Sequence, residues 1–395
     1  MMQYILHRLT IVSMILFASI IISCSSTSNS ISNVPVDIYV TGRVYISRMG
    51  TVAVYWKNGK MVVLPKERSD SGPNVTSLAV NGKDVYAGGS VMEYDPNLTG
   101  GPAVEYMHTA GYWKNGKWTL LNRLNLKHSS NVKRIFVHGK DVYVCGYIEK
   151  WDFSIPSEFS IATVTTTGYW KNGKWVGLNT TTWTDGKYVW ESKPGAGIMN
   201  DLIVSGSDVY ACGYVKRSGT EIPVYWKNGV LVELPFLTGN KFGSASSIFV
   251  SNNDVYVYGK ADDESGKSVD CYWENGKIKS LSSSKVTYNL SAKSFFVSGK
   301  DVYIGGYSGD YSTSSAGYLK NGKWITLGFP EGFKRSKVAA MAVFGKDVYV
   351  AGYCDDNKGN EKAGYWKNGE WFGYNADVSF DPISSIVVVP RPVAQ

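Results

Sequence analysis

The chain has 395 residues, of which 44% are apolar and 19% charged, with a formal charge of +8. That balance excludes a disordered or fibrous chain. It also argues against a nucleic-acid partner, because the excess of 41 Lys and Arg over 33 Asp and Glu is mild and forms no basic run.

Residues 1–23 read as an export signal. Arg8 gives a small positive end, and residues 9–22 are almost wholly apolar. Such a run is too short to span a bilayer comfortably, so a transmembrane helix is the weaker reading. It stops at Ile21-Ile22-Ser23-Cys24, which resembles the lipobox of bacterial lipoproteins. The resemblance implies cleavage before Cys24, lipidation of its thiol and attachment to a membrane through the lipid. Ser25 rather than aspartate follows, which by similarity to Gram-negative sorting favours the outer membrane or cell surface over the inner membrane. Residues 24–35 form a Ser-rich tether.

From residue 36 onward one unit recurs seven times. Its clearest mark is Tyr55-Trp56-Lys57-Asn58-Gly59, which returns at residues 112–116, 169–173, 225–229, 272–276 (with Glu274 for Lys), 318–322 (with Leu319 for Trp) and 365–369. A second mark, Asp-Val-Tyr, begins at Asp84, Asp141, Asp208, Asp254, Asp301 and Asp347, with Asp37-Ile38-Tyr39 as the first copy. The shortest units read as four strands, for example residues 294–297, 301–307, 316–320 and 323–327. Asn-Gly closes the last hairpin in every copy, as a type I′ turn demands. Four short antiparallel strands per unit predict an all-β fold, a single seven-bladed β-propeller over residues 36–390.

The Tyr-Trp-Lys-Asn-Gly repeat resembles that of a group of bacterial envelope lipoproteins. The signature motifs of WD and kelch repeats are absent, so likeness to those families is one of architecture alone.

Closure follows from a split unit. The first copy lacks its first strand, and residues 383–389 read as an orphan first strand ahead of a short tail at 391–395. This strand is expected to pair alongside residues 37–42 and close the ring, removing an open sheet edge. Neighbouring side chains on a strand point to opposite faces, so the repeated tryptophans are expected at blade–blade interfaces. The repeated aspartates are expected to accept backbone N–H groups at turns. Cys145 and Cys212 fall in a slot that is small in most sibling repeats, and read as buried core rather than metal ligands or disulfide partners.

In each unit the first and third turns fall on one face and are short and alike. The second loop and the connection between units fall on the other. Long stretches at residues 90–109, 148–167 and 180–196 read as loops gathered on one sector. They carry Tyr94, Tyr106, Trp151, Phe153, Trp183, Tyr188 and Trp190 beside several carboxylates, the composition of a surface for a glycan or protein ligand. A bland reading stands beside it, in which these segments only pack on one another. No nucleophile–base set or phosphate loop stands out, and no catalytic residue, metal or cofactor is expected. The acidic stretches at 262–264 and 355–361 lack EF-hand spacing and read as polar loops. The expectation is therefore a non-catalytic, lipid-anchored extracytoplasmic binding module. A polysaccharide-acting enzyme using loop carboxylates, or an envelope scaffold, are the alternatives.

Overall fold

The computed structural model describes residues 34–392 except 48, 66–72, 95–105, 123–127, 153–161, 185–195, 218, 238–241, 282–287, 310–313, 357, 359 and 375–378. Its strands form seven four-stranded antiparallel sheets. Six are consecutive in sequence: blade 2 (residues 74–120), blade 3 (128–184), blade 4 (196–233), blade 5 (243–280), blade 6 (288–326) and blade 7 (335–373). Blade 1 joins Ser379–Pro390 to Val36–Ile46, Gly50–Lys57 and Lys60–Val63. The closing register sets Val36 opposite Pro390, Ile38 opposite Val388 and Thr41 opposite Ser385, as the split unit requires. The Ser384 hydroxyl then donates to the Val75 carbonyl of blade 2 at 2.8 Å, tying the end of the chain to the next blade.

The core is divided among seven apolar clusters, each lying in the seam between two neighbouring blades. Trp56, Trp113, Trp170, Trp226, Trp273 and Trp366 are all buried there. Burying one such ring contributes on the order of 5 kcal/mol by area, an upper bound. The indole N–H groups add direction. Trp113 donates to the Pro65 carbonyl, Trp170 to that of Asn122 and Trp273 to that of Pro235, each just past the last strand of the preceding blade.

The two repeated marks turn out to be one feature. At the third turn all seven Asn residues have φ of 49–52° and the following Gly residues φ of 77–92°, the backbone an Asn-Gly hairpin needs. Asn is nevertheless more than a turn former. In blade 2 the Asn115 Oδ1 accepts the Val85 N–H at 2.8 Å, while its Nδ2 donates to Asp84 Oδ1 at 2.7 Å. Lys114 pairs with Asp84 Oδ2 at 2.9 Å and lies over the Tyr86 ring at 5.3 Å from its centroid. The same tie recurs in five further blades with Lys–Asp distances of 2.8–3.2 Å. The expectation that these aspartates accept backbone N–H groups is thus corrected. Asn takes the N–H, and the carboxylate takes Asn and Lys. In blade 5, where Glu274 stands in the Lys position, it pairs with Lys279 instead.

This network predicts acid sensitivity. The Asn115 amide and the Lys114 ammonium hold the Asp84 carboxyl below its ordinary value, and Asn172 and Lys171 do the same to Asp141. A carboxyl lowered on folding stabilises the native state above its unfolded value of about 3.9, and that stability is lost as pH falls through the folded value. Thermal melting should therefore hold steady from pH 7 to 5 and fall below about pH 4. A variant with Lys114→Met, Lys171→Met and Lys320→Met should melt lower than wild type at pH 7, with the difference narrowing by pH 3. An equal gap at both pH values would refute the role of the pairs.

The long stretches of blades 2 and 3 are not loops throughout. Asp84–Tyr94 pairs with Tyr106–Lys114, and Asp141–Asp152 with Ala162–Lys171, so both hairpins run well past the short blades. Lys174–Thr184 extends the outer strand of blade 3 in the same way. Alternate burial supports this: Met107 and Thr109 are buried with half-buried His108 between them, and Thr165 and Thr167 are buried with half-buried Thr166 between them.

Candidate functional site

Each innermost strand shifts register against its neighbour, a β-bulge repeated in all seven blades. The extra residue bends the strand and aims side chains toward the axis. The glycines opposite the bulges are required by close approach. A Cβ on Gly146 would sit 1.9 Å from the Asn131 carbonyl oxygen.

The bulges surround an axial cavity of about 410 Å³. Five innermost strands line it, with Asn74 and Thr76 from blade 2, Asn131, Lys133 and Arg134 from blade 3, Asn200 and Asp201 from blade 4, Ser246 and Ser247 from blade 5, and Ser384 and Ser385 from blade 1. Tyr147 completes the wall. Because Asn74 begins its strand, the cavity lies in the half of the ring nearer the long hairpins.

One column of this ring is exceptional. The innermost residue facing Gly88, Tyr258, Ala351 and Thr41 is Ser77, Ser247, Ala340 and Ser385. Facing Cys145 and Cys212 it is Arg134 and Asp201. Asp201 is buried, and its carboxylate is fully engaged. Oδ1 accepts the Leu202 N–H at 2.8 Å and pairs with Arg134 Nε at 3.2 Å. Oδ2 accepts the Ser247 hydroxyl at 2.6 Å and the Ile248 N–H at 3.1 Å. A buried carboxylate persists only when paired and hydrogen-bonded, and here it joins three blades. Arg134 also reaches Asp201 Oδ2 through Nη1 at 3.5 Å, yet its side chain keeps 39% exposure and lines the cavity. Exposed Lys133 lies beside it, 5.6 Å from the Tyr147 ring centroid.

Neighbouring groups have shifted acidities. Burial pushes the Glu149 carboxyl up, with Lys133 pulling the other way. Burial also pushes the Tyr147 phenol up. Cys145 and Cys212 are free, fully buried thiols driven upward by burial and by Asp201, as inert core positions should be. In the acidic loops Asp355 pairs with Arg335, while Asp263 and Asp356 bond within their own turns. Asp263 Oδ1 accepts from Ser265 and Lys267, and Asp356 Oδ1 from the Lys358 and Asn360 N–H groups.

The aromatic residues expected at the site are partly located. Tyr94 stands opposite Tyr106 at the end of the blade 2 hairpin. Trp151 and Trp183 flank the third strand of blade 3, opposite Thr163 and Val164. These four backbone positions share the end of the ring nearer the cavity. Phe153, Tyr188, Trp190 and the acylation candidate Cys24 lie outside the described residues. The axial polar residues were missed by sequence reading, although aligning the seven copies exposes Arg134 and Asp201 in a Ser/Ala column.

No protein-family model matches the sequence, and neither does any curated protein. Among solved structures the chain is similar to the β-propeller domain of the Trilobed protease from Pyrococcus furiosus, at 10% identity and a TM-score of 0.37, covering 77% of this chain and 98% of that one. It is also similar to the periplasmic gluconolactonase PpgL of Pseudomonas aeruginosa, at 12% identity and a TM-score of 0.37, covering 88% and 99%. A third is AofleA from Arthrobotrys oligospora, at 11% identity and a TM-score of 0.36, covering 80% and 88%. Likeness of this degree carries no argument about ligand or activity.

Proposed function

We propose that the protein is a lipid-anchored, extracytoplasmic binding module that takes a saccharide, acidic rather than neutral, into the mouth of its axial channel without transforming it. The observation that supports this reading is the polar cavity of about 410 Å³, within the size range of ligand sites. Asn and Ser side chains there match sugar hydroxyls, while Lys133 and the partly exposed Arg134 match a carboxylate. The extended hairpins, whose strands include Tyr94, Tyr106, Trp151 and Trp183, reach the same end of the ring, and aromatic residues are of the type that covers apolar sugar faces.

Calorimetric titration of the full-length protein with neutral and uronate-containing oligosaccharides tests it. Binding of the acidic members should weaken about tenfold in Lys133→Ala, as loss of one charge-assisted hydrogen bond implies. It should disappear in Ser246→Trp, which fills the cavity. Unchanged affinity in both would move the site off the axis. Loss confined to Trp151→Ala and Trp183→Ala would place it on the rim alone, and release of reducing ends would overturn the non-catalytic reading.

A further inference from the structure

The face opposite the cavity is strongly cationic. At the first turn, lysine occupies one blade position as Lys83, Lys140, Lys300 and Lys346. Just after the third turn it recurs as Lys60, Lys117, Lys174, Lys277 and Lys323. All nine are exposed, and no ion pair engages them among the described residues. The aspartates of this face are already matched by the lysines of the Tyr-Trp-Lys-Asn-Gly motif, except Asp254. Glu370 is the one acid in the third-turn lysine column. The remaining excess is about as large as the whole chain's formal charge of +8. In blade 4 the same column holds Val230, 68% exposed, an apolar tip among the ammonium groups.

Both ends of the propeller emerge on this face. Val36 pairs with Pro390 beside Asp37, and the Arg391 N–H donates to the Pro35 carbonyl at 2.7 Å. Chain from Cys24 to Pro35 spans at most about 40 Å even when fully extended.

We propose that this lysine-ringed face docks flat on an anionic phospholipid surface, so that the axial cavity and the long hairpins face away from the membrane. The inference rests on acylation at Cys24 for its placement, and on the charge of the face for its chemistry. Lysines within a Debye length of an anionic leaflet are attracted, and the attraction is screened by salt. A ring of nine spread over one flat face suits a planar surface better than a small ligand. Val230 can enter the headgroup layer where the charges approach it.

The test is amine footprinting. The full-length protein, held on vesicles by its own N-terminal segment, is labelled with an acetylating reagent and read by mass spectrometry. On vesicles containing phosphatidylglycerol, acetylation of Lys83, Lys140, Lys300 and Lys323 should drop several-fold relative to phosphatidylcholine vesicles, and recover in high salt. Labelling of Lys133, Lys267 and Lys358 on the other side should not change. The variant Lys83→Glu, Lys140→Glu, Lys300→Glu, Lys346→Glu should lose the protection of Lys323 while melting like wild type. Equal labelling on both vesicle types overturns the proposal, as does equal protection by a soluble polyanion. Palmitate incorporation into wild type but not Cys24→Ala decides the anchor independently, so failure of one reading is distinguishable from failure of the other.

Discussion

A chain ending after Tyr374 should fail to form a monomeric ring. It retains every other strand of the seven blades, so the loss is confined to Ser379–Pro390, yet that strand is the innermost of blade 1. Its removal uncovers one edge of Val36–Ile46 along the register from Val36 to Tyr45. It also takes Ile383 and Ile386 out of the seam with blade 7. Two buried isoleucines contribute about 3–6 kcal/mol by area. The ladder and the Ser384 tie add to this, and a domain's whole stability is about 5–15 kcal/mol. The expected result is loss of the cooperative far-UV melting transition, with the product eluting as aggregates because the bare edge invites pairing between chains. A circular permutant isolates the cause. Joining the end at Arg391 to Pro35 by a short turn, and opening the chain between Pro330 and Gly332, keeps all strands in a new order. It should melt within a few degrees of wild type. A truncated chain that melts like the intact one would show that the ring does not need its last strand.

What the sequence reveals and what it hides follow the same physics. Asn-Gly requires positive φ wherever it closes a hairpin, so Asn58 and its six siblings announce their turns without tertiary information. The tryptophans are too large to stand exposed in a repeat, and the split unit leaves residues 383–389 a single place to go. The Asn–Asp–Lys tie was hidden because its members lie about twenty to thirty residues apart and meet only when hairpins align. The extended hairpins were hidden by polar composition, since Thr163, Thr165 and Thr166 read as loop although β-branched residues sit comfortably in strands. The axial site was hidden by periodicity itself: a Ser/Ala column looks like filler until Arg134 and Asp201 are seen to interrupt it. The lysine face was hidden for a related reason, because single lysines spread along the chain form no basic run until the ring gathers them.

The seam between blades 5 and 6 gives the sharpest test of how the repeats fit. Three exceptions to the pattern meet there. Leu319 stands where other blades carry Trp, Tyr258 where most carry a small residue, and Asp270 where siblings carry Ala53, Ala110, Ala316 or Ala363. They compensate one another. Tyr258 is buried, stacks on Phe295 at 5.7 Å between centroids, and occupies space in a cluster where Leu319 is smaller than an indole. Its hydroxyl donates to Asp270 at 2.6 Å, and burial pushes that carboxyl above its ordinary value. Tyr258→Gly alone should cost about 3–5 kcal/mol, through a cavity and an orphaned half-buried carboxyl. Leu319→Trp alone should cost about 1–3 kcal/mol by overpacking against Tyr258. The triple variant Tyr258→Gly, Asp270→Ala, Leu319→Trp rebuilds the seam of the other blades, and should return to within about 1 kcal/mol of wild type in urea unfolding. Strictly additive losses would mean that these residues do not share one volume. Recovery would show that each blade is interchangeable with its siblings once its partner across the seam is changed with it.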